Sequence, residues 1–336
     1  MAALETKWPT LVEVAKRTGP NGNMAKIAEV LEQSSAILPD MPWFEGNLST
    51  GHKGVVRTGI PEPTWRKLNG GVQPTKSTTA AIQANCGTLA DYSEVDRQLA
   101  DLGGNAAAFR FSEDKAKIQG FNNKLARYMF YGNEGTEPEA ITGLAPIFSS
   151  LSTSIANSEN IINAGGAGSD NNSIWLVVWG DMSVFGIYPK GSTAGLKQED
   201  KGVVTIENVD GVGGRMEAYR TYYEWQCGLF VKDWRYVVRI ANIDKSALTK
   251  DASSGADLPD LMHSAIERLP EDAMSMGRAG FYMSRRTREF VRKQSTNATK
   301  NSTLTIENVG AKRVMSFSGI PLRRVDALAA DETLVA

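Results

Sequence analysis

The sequence Ile-Trp-Leu-Val-Val-Trp-Gly at residues 174–180 opens the part of the chain that decides its fold. It is followed by Val-Phe-Gly-Ile-Tyr-Pro-Lys-Gly at residues 184–191, and later by Gly-Leu-Phe-Val-Lys-Asp-Trp-Arg-Tyr-Val-Val-Arg-Ile-Ala-Asn-Ile-Asp at residues 228–244. Short runs of β-branched and aromatic residues separated by glycine, proline and aspartate are typical of strands and tight turns. We therefore predict that residues 173–244 form a β-sheet core.

Between these runs lies a stretch of alternating side chains. One face would carry Tyr219, Thr221, Tyr223 and Trp225, and the other Arg220, Tyr222, Glu224 and Gln226. No basic excess follows, as a platform on which nucleic-acid bases stack would require. The alternation predicts a half-buried strand.

Two helix patterns occupy the first 47 residues. Thr10 is a candidate N-cap for a helix that reaches Arg17, and Asn23 is a candidate N-cap for a second helix that reaches about residue 38. An arm followed by an anchor helix and two surface helices of a compact domain both fit this periodicity.

A longer helix pattern runs from Ser112 to Gly132, with Asp114 in the first turn, where a carboxylate opposes the helix dipole. Its apolar face has a period of 3.6 residues and consists of Ile118, Phe121, Leu125, Tyr128 and Met129. Upstream, Ser93 and Asp96 have the spacing of a capping box, which predicts a helix beginning at Ser93.

Beyond residue 244 the chain predicts a mixture of helices and strands. Asp257 and Pro259 begin a helix that ends before Pro270, and Ser284 caps another. Strands are predicted at residues 279–283, 303–306 and 314–317. The chain is therefore predicted to be α+β.

Residues 48–92 contain many Thr, Ser, Gly, Gln and Lys residues and few large apolar ones. Such a stretch can form a two-stranded ribbon, which is marginally stable unless it packs against a neighbour. Its basic residues are Lys53, Arg57, Arg66, Lys67 and Lys76. By composition, both a subunit interface and a mobile solvated loop fit this segment.

Several of these pieces resemble the major capsid proteins of tailed bacteriophages, which have the Hong Kong 97-type fold. Besides the sheet runs, the resemblance is carried by Gly-Ile-Pro at residues 59–61, Trp-Arg-Lys-Leu-Asn at 65–69, the helix end at 126–132 and Phe-Ser-Gly-Ile-Pro-Leu at 317–322. It implies an N-terminal arm and anchor helix (1–47), an extended E-loop across the adjacent subunit (48–92), a peripheral domain with a spine helix (93–142) and an axial domain (143–330).

The resemblance also implies a structural function. The chain would assemble with itself in pentamers and hexamers, in the host bacterial cytoplasm, into an icosahedral head enclosing double-stranded DNA. It implies a separate scaffolding protein and a portal as partners, and it is compatible with an additional decoration protein. Two alternatives remain: the shell protein of an encapsulin-like nanocompartment and a soluble α+β enzyme.

Composition contains no sign of catalytic, cofactor or metal chemistry. The chain has 336 residues, 37 basic and 38 acidic, so its net charge of −1 lacks the basic excess of a dedicated nucleic-acid binder. Its longest apolar runs are far short of the ~20 residues that span a membrane. His52, His263, Cys86 and Cys227 are isolated from one another in sequence and match no site motif, so we predict structural roles for the histidines.

One local concentration of basic residues stands out near the end of the chain. Its members are Arg285, Arg286, Arg288, Arg292 and Lys293. The group fits packaged DNA, an acidic partner or a solvated helix face, and we favour the solvated face.

The order of the pieces departs from the family. The usual order places the block ending in a Gly-Ile-Pro turn before the strands of the Trp-x-x-x-Trp-Gly-Asp kind, whereas here Trp175–Asp181 precede Pro321. We predict an axial domain with its strands in the familiar places but linked in a different order. Residues 149–172 and 244–256 would be the new connections.

Overall fold

The computed structural model describes residues 8–9, 35–102, 105–209, 212–296, 304–309, 312–328 and 331–336. The helix predicted from Thr10 to Arg17, and most of the one predicted after Asn23, lie outside these residues. The described helices are α1 Ile37–Asp40, α2 Arg97–Asp101, α3 Ala106–Tyr131, α4 Leu144–Ile147, α5 Leu258–Glu267, α6 Ala273–Met276 and α7 Arg285–Ser295.

Strands account for most of the remaining regular structure. They are β1 Trp43–Glu45, β2 Gly51–Gly59, β3 Thr78–Asn85, β4 Gly87–Asp96, β5 Ile161–Asn163, β6 Asn171–Trp179, β7 Val184–Tyr188, β8 Lys197–Glu207, β9 Arg215–Val231, β10 Val237–Asp244, β11 Arg278–Met283, β12 Leu304–Val309, β13 Lys312–Phe317 and β14 Ile320–Arg324.

The chain divides into two compact units. The first contains residues 88–125 and 195–226 together with Trp8 and Pro9, and the second contains 34–87, 126–194 and 227–336. Each unit is made of segments that are separate in the sequence. The four consecutive segments predicted from the sequence were instead defined by their roles in a shell.

The second unit is built on β6, of which every residue is buried. β6 pairs antiparallel with β10, where Val177 faces Val237, and with β11, where Val177 faces Gly280. From β11 the sheet continues through β14 and β13 to β12, while β5 pairs with β10 and β1 with β7. The prediction that the runs at 174–180 and 237–244 are core strands is confirmed.

Helices α5 and α7 cover part of this sheet. Leu258 and Met262 of α5 and Val291 of α7 are fully buried in one apolar cluster with residues of β6, β10 and β11. The predicted caps of these helices are confirmed: Asp257 accepts a hydrogen bond from the Asp260 amide (3.5 Å), and Ser284 from the Thr287 amide (3.3 Å). Burial of such apolar side chains supplies most of the stability of a sheet-and-helix layer.

In the first unit, β9 lies between β4 and β8. Thr221 and Tyr223 of β9 are buried, and on the opposite face Arg220 donates to Glu94 of β4 at 2.7 Å. The prediction of a half-buried strand is therefore confirmed. The predicted β structure of residues 173–244 is confirmed, although residues 195–226 belong to the first unit and β8 is mostly exposed.

Two helix starts differ from the sequence prediction. Helix α3 begins at Ala106, where Asn105 accepts a hydrogen bond from the Ala108 amide, so Asp114 lies well inside the helix and is buried. Ser93 belongs to β4, and Asp96 is itself the N-cap of α2. The cap of α3 thus lies seven residues before the predicted start, and the cap of α2 lies three residues after it.

The predicted end of α3 at Gly132 is confirmed. Its amide donates to the Tyr128 carbonyl at 2.8 Å, and a Cβ at this position would lie 2.2 Å from the Ile141 carbonyl oxygen. The chain can therefore leave the helix beside residue 141 only because position 132 has no side chain.

Candidate subunit interface

The segment predicted as an interface contains a two-stranded ribbon. β2 and β3 pair antiparallel from Gly51 opposite Asn85 to Gly59 opposite Thr78, and they form a sheet of their own. Residues 60–77 connect the two strands at the far end without helix or strand. We call residues 51–59 and 78–85 the ribbon, and residues 60–77 its tip.

The ribbon is fixed to its own unit at one end. The His52 ring packs edge-on against Phe230 (centroids 4.6 Å apart) and Phe185 (5.8 Å), and a Cβ on Gly54 would lie 2.7 Å from the Phe230 ring. Burial, followed by the charge of Lys232, lowers the pKa of His52. His52 is thus an aromatic contact that anchors the ribbon.

The tip and the ribbon carry the five basic residues predicted as interface residues. All five are exposed, and none has an acidic partner among the residues that the structure describes: Lys53, Arg57, Arg66, Lys67 and Lys76. Arg66 makes one local contact, from its Nε to the Gly70 carbonyl at 2.8 Å. The structure therefore brings these cations onto one segment with no intrachain ion pair in the described part of the chain.

Large apolar side chains of the tip are also exposed. The exposed fraction is 85% for Ile60, 103% for Trp65 and 98% for Leu68. The sequence reasoning overlooked them as contact residues, because it treated residues 48–92 as poor in apolar groups. The signal that could have found them is a tryptophan and a leucine in a stretch without the periodicity of a helix or a strand.

A second polar arrangement lies inside the sheet of the second unit. Arg239 of β10 donates to the Glu332 carboxylate (2.8 Å), to the Phe148 carbonyl (2.6 Å) and to the Ser173 hydroxyl (3.1 Å). The hydroxyls of Ser173 and Tyr131 donate to the same carboxylate. Arg239 and Glu332 are each only 5% exposed, so the pair is buried and its hydrogen bonds hold residues 331–336 on the sheet.

This arrangement has the chemistry of a structural clamp. The carboxylate accepts from the arginine, the serine and the tyrosine, and Asn242 completes the attachment by exchanging two hydrogen bonds of 2.9 Å with the Val335 backbone.

Among the described residues, no group of three or more His, Cys, Asp or Glu side chains is placed to hold a metal ion. No described helix is both long enough and apolar enough to cross a membrane.

Comparisons with known proteins supply the family. A family model described as "Major capsid protein GP7" matches residues 19–336. The chain belongs to the major capsid protein GP7 family. It is also similar to the solved structure of bacteriophage Epsilon15, at 40% sequence identity and a TM-score of 0.80 over 100% of each chain.

More distant similarities are to two other capsids. The capsid of bacteriophage JBD30 is 9% identical with a TM-score of 0.46, covering 97% of this chain and 96% of that one. The capsid of a native GTA particle is 10% identical with a TM-score of 0.46, covering 65% and 94%. None of the curated proteins compared with the chain matches it.

Membership of this family confirms the function inferred from the resemblance. The chain is a major capsid protein, a structural component of the phage head shell, and it belongs to the virion. The prediction that it is a structural protein and not an enzyme rests on this family. At the level of the overall fold, the similarity to the Epsilon15 structure confirms the predicted α+β capsid fold.

Proposed function

We propose that copies of this major capsid protein close into an icosahedral head around double-stranded DNA, with residues 48–92 lying across a neighbouring copy as an E-loop. The observation that carries the proposal is the ribbon and its tip. They are anchored at His52 and Gly54, while Trp65 and Leu68 are almost fully exposed at the other end. Exposed apolar side chains grouped in this way mark contact surfaces.

Charge supports the same proposal. Residues 48–92 contain five Lys or Arg residues and two acids, Glu62 and Asp91, so the segment has a surplus of 5 − 2 = 3 positive charges. The five are the predicted interface residues Lys53, Arg57, Arg66, Lys67 and Lys76. Complementary charges across an interface fix which surfaces meet, and they accelerate association.

The remaining parts of the subunit have roles that follow from this arrangement. Residues 1–47 would form an arm and anchor helix, residues 93–142 a peripheral domain with α3 as its spine helix, and residues 143–330 the axial domain at the five-fold and six-fold positions. Assembly would use pentamers and hexamers, a separate scaffolding protein and a portal, in the bacterial cytoplasm. The proposed shell is compatible with an additional decoration protein.

We also propose that the axial domain has a permuted strand order, with residues 149–172 and 244–256 as the new connections. In support of this, β6 pairs directly with β11, and β11 pairs in parallel with β14, where Phe281 faces Leu322. The strands of residues 171–188 and 278–324 thus share one sheet. In the usual order of the family, the strands that correspond to residues 278–324 would come first along the chain.

The experiment that tests the proposal is electron microscopy of the overexpressed chain, alone and together with the neighbouring phage proteins. We expect closed shells, with the tips of the ribbons over adjacent subunits. Shells that form alone and never take up DNA or a portal would instead favour a nanocompartment. A protein that stays monomeric in every combination would contradict the proposal.

A further inference from the structure

Arg288 of α7 occupies an unusual position for a cation. Its side chain is half-buried, its Nε atom is shielded from solvent without a hydrogen bond, and it has no acidic partner among the described residues. Burial lowers the pKa of Arg288, and the charges of Arg324 and Arg323 lower it further. The prediction of a solvated helix face therefore holds for its exposed neighbour Arg292 and fails for Arg288.

The two arginines whose charges act on Arg288, and Arg285 at the start of the same helix, each have a carboxylate partner. Asp40 lies 2.9 Å from the Arg323 Nε, and Asp326 lies 2.8 Å from Arg285 and 3.6 Å from the Arg324 Nε. We call this group the arginine cluster: Arg285, Arg288, Arg323 and Arg324 with Asp40 and Asp326. It has four cations and two anions, so its members carry a surplus of two positive charges within the part of the chain that the structure describes.

Burying a like-charged group costs free energy unless an anion compensates it. Arg288 is therefore a poor choice for the stability of the isolated subunit, since an uncharged apolar side chain would avoid both the desolvation of the guanidinium and its repulsion by Arg323 and Arg324. A guanidinium suits a different task, because its planar donors bind a carboxylate in a two-pronged geometry.

We propose that the arginine cluster binds a carboxylate group of a second copy of this chain, so that Arg288 is an anchor of a contact between subunits. This inference rests on the proposed function, because it requires that copies of the chain meet. The whole chain has 37 basic and 38 acidic residues, so a local positive surplus is balanced by a negative surplus elsewhere on each identical copy. A repeated head-to-tail contact brings two such different surfaces together.

Packaged DNA fits the cluster less well. A DNA backbone presents a line of phosphates and is matched by basic side chains spread along a surface. Here the surplus is compact, and Asp40 and Asp326 stand within it.

The test is a pair of substitutions at Arg288 with a matched control on the same helix. In R288L the subunit should keep or raise its melting temperature, because repulsion within the cluster is relieved. In R288E the new carboxylate should pair with Arg323 and Arg324 inside its own chain, and the melting temperature should rise. Both variants should weaken the contact between subunits about tenfold or more and abolish shells in electron microscopy. The control R292L removes an exposed arginine one turn further along α7 and should assemble as the wild type does.

Four outcomes decide the proposal. Normal shells from R288L and R288E would overturn it, as would a fall in the melting temperature of both variants, which would show that Arg288 serves the fold of its own subunit. Normal shells that no longer retain DNA would identify phosphate as the anion and would also overturn it. If the wild type forms no closed shell, the proposed function fails. Sedimentation of the smaller oligomers of wild type and R288L would then still show whether Arg288 holds copies together.

Discussion

Strand β6 and the ribbon of β2 and β3 have the same backbone pattern and opposite surroundings. Every residue of β6 is buried between neighbouring strands and packed side chains. In β3 six of the eight residues are exposed, and β2 is buried only at Gly51. The ribbon satisfies its backbone hydrogen bonds but buries little apolar surface, so its stability depends on what it contacts.

The same contrast holds for charge. Arg239 of β10, the strand paired with β6, has a carboxylate, a hydroxyl and a carbonyl as partners, whereas Arg57 on the ribbon has no ion pair among the described residues. One region is complete within the subunit. The other leaves apolar and charged side chains exposed, and in the proposed shell these would contact a neighbouring copy.

The strongest test of this contrast is deletion of the tip. Replacing residues 62–75 with a short glycine-rich turn should abolish shells while changing the free energy of unfolding by less than about 1 kcal/mol, because shortening a solvated loop removes little. Urea denaturation and electron microscopy measure the two effects. Loss of soluble, cooperatively unfolding protein would mean that the tip belongs to the core of its own subunit.

The next largest effect concerns the buried pair. R239L should lower the free energy of unfolding by about 3 to 5 kcal/mol, because Glu332 is left as an unpaired buried charge. In the control D331N, a residue whose side chain is 78% exposed and 3.7 Å from Lys245, the change should stay below about 1 kcal/mol. Equal urea midpoints for R239L and wild type would show that Glu332 finds other partners.

Matched truncations compare the two strands directly. L176A in β6 should cost about 2 to 5 kcal/mol, since the side chain is only 1% exposed and leaves a cavity. V55A in β2, where the side chain is 63% exposed, should cost less than about 0.5 kcal/mol in the isolated subunit. A similar cost for both would remove the distinction drawn between core and ribbon.

A smaller effect is expected from charge reversal on the ribbon and its tip. The double variant R57E/K67E should assemble poorly at low salt and recover partly at high salt, because exposed pairs between subunits are screened over about 10 Å at 0.1 M ionic strength. Light scattering during assembly follows the change. Assembly at the wild-type rate in every salt concentration would mean that both cations are merely solvated.

The smallest effect comes from pH at the base of the ribbon. The folded-state pKa of His52 is lowered, so the unfolded chain binds this proton more readily than the folded one. The contribution of His52 to the free energy of unfolding is therefore complete above the ordinary histidine pKa. It declines as the pH falls from that pKa towards the lowered pKa of the folded state. H52F should make hydrogen exchange of β2 amides less sensitive to pH over that window. An unchanged pH dependence would exclude His52 as its source.

The core strands and several helix ends, those of α5, the start of α7 and the end of α3, were predictable because local chemistry decides them. The run from Ile174 to Gly180, the caps Asp257 and Ser284, and the stop at Gly132 each depend on neighbours in the sequence. The division into two units was not predictable in this way. β8 and the first part of β9 have ordinary strand patterns, and no local feature of the sequence indicates that they belong to the first unit.

The candidate interface was predictable as a segment but incompletely as a set of residues. Composition identified residues 48–92 and their cations, because a basic stretch with few apolar partners is visible in one dimension. The exposure of Trp65 and the half-burial of Arg288 depend on distant residues. Pairings such as Arg239 with Glu332, 93 positions apart, have no sequence signature at all.

That separation of 93 positions has a consequence for the timing of synthesis. Arg239 is made as part of β10, but the carboxylate that neutralises it leaves the ribosome only after α5, α7 and β11 to β14. Before that, closing the sheet would bury an unmatched cation, which is unfavourable. Residues 331–336 thus act as a latch on this sheet, which can close only after they have been translated.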